Sequence, residues 1–117
     1  MSHEREAYRQ ARALLGAICA LSLGEQRRSR LEALRRAALG AVAPIVASAA
    51  QESSAVRVAA LRRSHAALDR LAELLEGCRS AGELPEEQAG GLLHAHEHAA
   101  RAVDRALAGY GGLGASA

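Results

Sequence analysis

The stretch Gln26–Ser48, QRRSRLEALRRAALGAVAPIVAS, decides the reading of this chain. Its first half is the most basic part of the protein, and its second half is a nearly uncharged run of small and branched apolar residues. Leu31, Leu34, Ala38, Val42, Ile45 and Ala49 step by three or four, which places one apolar stripe along a helix. The expectation is a long helix, starting near Glu25 or Gln26, with a basic, solvated entrance and a buried far end. Arg27, Arg28, Arg30, Arg35 and Arg36 gather at that entrance, at the positive end of the helix dipole. Such crowding is unfavourable unless an anionic partner or a neighbouring acidic helix offsets it. Pro44 removes a backbone donor, so it should kink this helix or end it early.

The flanking segments read the same way. Ser2 is a candidate cap for a first helix, with Glu4 and Glu6 favourable in its first turn. Its apolar face is Ala7, Ala11, Leu14, Leu15, Ile18 and Cys19; Arg5, Arg9 and Arg12 share another face. Gly24 suits the helix end. Ser53 or Ser54 caps a third helix, whose seam reads Val58, Leu61, His65, Leu68, Ala72, Leu75 and which ends around Cys78. Pro85, with Glu86 and Glu87 behind it, opens a fourth. There the apolar face is Leu92, Leu93, His96, Ala99, Ala100, Val103 and Leu107. Four helices near 20 residues long, joined by short connections, specify an all-α fold. The architecture expected is an antiparallel, up-down-up-down four-helix bundle over residues 1–110 with a Gly-rich frayed tail, 111–117.

Composition bounds the function. The chain has 117 residues, half of them apolar, with no Phe or Trp and two Tyr. A core of Ala, Leu and Val favours helix, yet each residue buries little area, so burial between subunits would help. All 15 basic residues are Arg. Residues 1–82 carry 13 Arg and 8 acids, whereas residues 83–117 carry 2 Arg and 5 acids. That asymmetry permits an anionic partner on one face. No aromatic residue interleaves with the helix-two Arg residues, so base stacking is not expected.

Catalysis finds no foothold. The chain has no nucleophile elbow, Walker loop, dinucleotide fingerprint or Cys-x-x-Cys. Cys19 and Cys78 both read as buried free thiols. His94 and His98 are one helical turn apart and can reach one metal ion, but a protein site normally has three or four ligands. Polar surface histidines, with His65 or His96 at a seam edge, are the default, and no cofactor is expected. A seam His65 would make packing pH-sensitive. The apolar run Ala37–Ala50 is 14 residues, short of the roughly 20 needed to span a bilayer. With no apolar leader at its charged N-terminus, the chain reads as cytoplasmic.

Leu34-Arg35-Arg36-Ala37-Ala38, then Leu68, Leu71 and Leu75, then Gly82-Glu83-Leu84-Pro85-Glu86-Glu87, carry a resemblance. They are similar to the small four helix bundle proteins. That family includes products of intervening sequences in bacterial large-subunit ribosomal RNA genes. It also includes Avd, the accessory protein of diversity-generating retroelements. The similarity runs over about residues 4–108. The family's Asn-Ile-Ala-Glu-Gly signature late in helix two is replaced here by Pro44-Ile45-Val46-Ala47-Ser48. The resemblance implies a non-enzymatic homopentamer. For Avd-like members it also implies a basic surface that meets RNA, DNA or an RNA–DNA hybrid, and a reverse transcriptase. Arg27, Arg28, Arg30, Arg35 and Arg36 are the residues to which that surface would map. The alternative is a protein-interaction scaffold whose Arg residues serve subunit contacts.

Overall fold

The computed structural model describes residues 2–21 and 28–111. They form α1 (Ser2–Cys19), α2 (Arg28–Ser48), α3 (Ser54–Ser80) and α4 (Glu86–Ala108). Each helix packs on the next and α4 closes back onto α1. Contacts at the helix ends fix the directions. Glu4, Ala49, Arg57 and Tyr110 meet at one end of the bundle. Cys19 and Arg35 meet at the other, as do Arg30 and Glu83. Neighbouring helices are therefore antiparallel, and the molecule is an up-down-up-down four-helix bundle, 44 × 22 × 20 Å.

The core is a ladder of Leu separated by Ala. Leu14, Ile18, Leu34, Leu61, Leu68, Leu71, Leu75 and Val103 are fully buried. Alanines from all four helices fill between them, so the helices approach closely. At Gly40 a Cβ would sit 3.2 Å from the Ala67 Cβ, so α2 and α3 approach closely there.

Local signals hold at the helix ends. Ser53 caps α3, its side chain accepting from the Val56 N–H at 3.3 Å. Gly82, with φ of 70°, ends α3. Its N–H donates to the Arg79 carbonyl at 3.1 Å, and the Glu83 N–H donates to the Cys78 carbonyl at 2.9 Å. This pair of bonds closes the helix and needs a left-handed residue between them. Pro85 precedes the first residue of α4, as its missing donor requires.

Several expectations are corrected. α2 runs four residues past Pro44 to Ser48, so the proline does not end it. The α3 seam is Leu61, Ser64, Leu68, Leu71, Leu75 and Cys78, with Ser64 and Leu71 in the places expected for His65 and Ala72. Ser64 tolerates full burial because its hydroxyl donates to the Ala41 carbonyl at 2.6 Å. Cys19 is exposed, unlike the buried Cys78. Ala49, expected on the α2 stripe, is exposed beyond the helix end. Ser2 opens α1 from inside the helix. On α4, Ala102 and Ala106 are buried, while Leu93, Ala100 and Leu107 sit half-buried at the edge. The expected start of the second helix, the Gly24 helix end and the tail beyond Gly111 lie outside the described residues.

Candidate nucleic-acid interface

The Arg residues at the entrance of α2 divide into two groups. Arg27 lies outside the described residues. Arg30 is half-buried and points across the bundle end, where its Nη1 is 3.2 Å from Glu83 Oε1 in the α3–α4 connection. Glu83 is only 16% exposed, so this pair is partly shielded from water. It supplies one negative charge to a helix whose first turn carries no acid. Arg35 is exposed, but its Nη2 donates to the Cys19 carbonyl at 3.2 Å. Cys19 is the last residue of α1, and this guanidinium satisfies a carbonyl that the helix leaves free. Arg57 acts the same way at the opposite end, donating to the Ala49 carbonyl just beyond α2 at 3.4 Å.

Arg28 and Arg36 remain. Both are exposed, and neither has a carboxylate partner among the described residues. Arg5 and Arg12, two turns apart on α1, are also exposed without a carboxylate partner among the described residues. Arg5 lines a cleft of about 330 Å³ between α1 and α2, together with Tyr8, Ile45, Val46 and Ala49. Arg12 follows it two turns on along α1, and Arg28 precedes Arg35 by two turns on α2. Arg5 and Arg12 were legible in the sequence as a shared face; what places Arg5 beside α2 is tertiary packing.

Acids on this side are few and mostly occupied. Glu6 is paired with Arg9, and the bond donated by Gln10, followed by the Arg9 charge, holds its carboxyl below the usual range. Glu4 accepts the Tyr110 hydroxyl at 2.5 Å and faces Arg57 Nη1 at 3.9 Å. Burial first, and then that bond to Glu4, pushes the Tyr110 hydroxyl above its ordinary value. Glu32 is the remaining acid on α1 and α2 among the described residues, and it is exposed. Leu39, 53% exposed, and Val46, 54% exposed, stand two turns apart on the same outer strip of α2.

The histidines do not belong to this surface. His65, half-buried on α3, stands between Asp69 and Asp104, each 3.4 Å from one ring nitrogen. His96 donates from Nε2 to the Leu68 carbonyl at 2.7 Å, which ties α4 to α3. His65 thus faces carboxylates and does not join His94 and His98. Among the described residues, no group of three or more His, Cys, Asp or Glu could share a metal ion, and no helix is long and apolar enough to cross a membrane. Compared with known proteins, the chain matches no family model, and no curated protein matches it.

Proposed function

We propose that this chain is a non-catalytic accessory bundle that binds nucleic acid through the outer α1–α2 seam. The observation that carries this reading is the set Arg5 and Arg12 on α1 and Arg28 and Arg36 on α2, all exposed and without a carboxylate partner among the described residues. Arg pairs with phosphate through a planar fork, and a row of such groups gains by displacing counterions from a polyanion. Tyr8 in the cleft is half-buried and the chain has no Phe or Trp, so recognition rests on the backbone and carries little sequence preference. Arg30 and Arg35 hold the bundle and shape the surface without being its main contacts. In this reading the resemblance to Avd-like proteins supplies the wider setting: a cytoplasmic homopentamer working beside a reverse transcriptase.

Fluorescence anisotropy of labelled RNA, DNA and RNA–DNA hybrid tests the proposal. Binding at low salt that falls by tenfold or more in Arg5→Gln/Arg12→Gln/Arg28→Gln/Arg36→Gln supports it. Binding unchanged by those four substitutions removes the seam from consideration.

A second reading has its own observation. Leu39 and Val46 expose aliphatic side chains two turns apart, beside an open cleft. A scaffold that self-associates through α2 would cover them. Leu39→Glu/Val46→Glu would then reduce the oligomer mass while leaving the helical content intact.

A further inference from the structure

His94 and His98 lie one turn apart on α4, and both are exposed. Their Nε2 atoms approach to 3.1 Å, with the rings nearly perpendicular at 82° and their centroids 4.5 Å apart. Two imidazole nitrogens bound to one metal ion sit at about 2.0–2.1 Å from it. That geometry separates them by about 2.9 Å at a right angle and about 3.4 Å at the tetrahedral angle. The observed 3.1 Å lies inside that interval. Without an ion, the same approach is a single N–H···N bond, one ring donating to the other. Both side chains are exposed, so the two Nε2 atoms meet at the helix surface.

We infer that His94 and His98 form a two-nitrogen chelate for a divalent first-row transition ion, with water completing the coordination. Imidazole nitrogen suits Cu2+, Ni2+ and Zn2+, and the order of affinities puts Cu2+ first. His65 and His96 are committed elsewhere, His65 to Asp69 and Asp104 and His96 to the Leu68 carbonyl. Glu97 is paired with Arg101 and supplies no third ligand. The site is thus open and exchangeable, unlike a closed structural centre. Its local effect falls on α4 itself. Gly90 and Gly91 weaken the first half of that helix, and the chelate closes the turn that follows them.

The test uses the tag-free full chain carrying Cys19→Ser, so that the exposed thiol neither binds nor reduces the ion. Substoichiometric Cu2+ is added while amide signals are followed by NMR, and affinity is measured by calorimetry. The expected result is paramagnetic broadening centred on residues 94–98. His94→Ala and His98→Ala should each abolish that broadening and weaken binding at least tenfold, with unchanged circular dichroism because both side chains are exposed. Broadening centred elsewhere, such as at His3, with residues 94–98 unaffected, would overturn the inference. So would an affinity that neither substitution changes.

Discussion

Arg30 on α2 reaches Glu83 in the α3–α4 connection, Nη1 to Oε1 at 3.2 Å, across the end of the bundle. The pair joins the most basic segment of the chain to the start of its acidic last third. It also sits against the buried Cys78, whose thiol senses both charges. The unfavourable placement of Arg at a helix start is thereby offset within the chain.

Arg30→Gln should destabilise the fold by about 1–2 kcal/mol, because Glu83 is largely shielded and would lose its counter-charge. Arg36→Gln, at an exposed position, should stay within about 0.5 kcal/mol of the parent. Urea denaturation of the two variants checks the contrast. Equal stabilities would show that the Arg30–Glu83 contact contributes nothing measurable.

The two thiols should differ sharply in reactivity. Cys19 is exposed, whereas burial pushes the Cys78 thiol above its ordinary value, with Arg30 opposing and Glu83 adding. A disulfide reagent should modify one thiol quickly in the native protein and the second only on unfolding. Cys19→Ser should remove the fast phase. The linkage has a definite sign. Above the ordinary thiol pKa of about 8.5, the unfolded chain loses the Cys78 proton while the native state keeps it, so stability falls as pH rises.

Ser64 tests the core register. Its hydroxyl is fully buried and donates to the Ala41 carbonyl, three residues before Pro44, in the turn where the imino acid interrupts the helical ladder. Ser64→Ala should cost about 1 kcal/mol through the lost hydrogen bond. Leu68→Ala, one turn on, should cost about 2–5 kcal/mol through cavity formation. Thermal unfolding of both variants measures the difference.

That same residue shows where the sequence was legible and where it was not. Helix number, order and most ends were readable, since Ser53, Gly82 and Pro85 act through local backbone chemistry. The α3 seam was read one position off at Ser64 and Leu71. Leu61, Leu68 and Leu75 fit both registers, and a serine enters a core only when another helix offers it a carbonyl. His65, read into the seam, stands at its edge between two aspartates. The basic cluster was legible as charge alone. Its division into Arg30 and Arg35, which bind within the bundle, and Arg28 and Arg36, which do not, depends on Glu83 and Cys19, distant in sequence.

Self-association should respond to α2. If Leu39 and Val46 are covered by another copy, Leu39→Glu/Val46→Glu lowers the mass seen by sedimentation velocity. An unchanged mass places the contact elsewhere on the bundle.

The most direct measurement is the salt dependence of nucleic-acid affinity for the parent chain and for Arg28→Gln/Arg36→Gln. The slope of log affinity against log salt counts the phosphates neutralised, about 0.9 per contact on duplex DNA. The expected result is a steep slope in the parent that becomes shallower by about two in the double variant. Equal slopes for both proteins, or no binding at low salt, would contradict the assignment of the α1–α2 seam as a nucleic-acid surface.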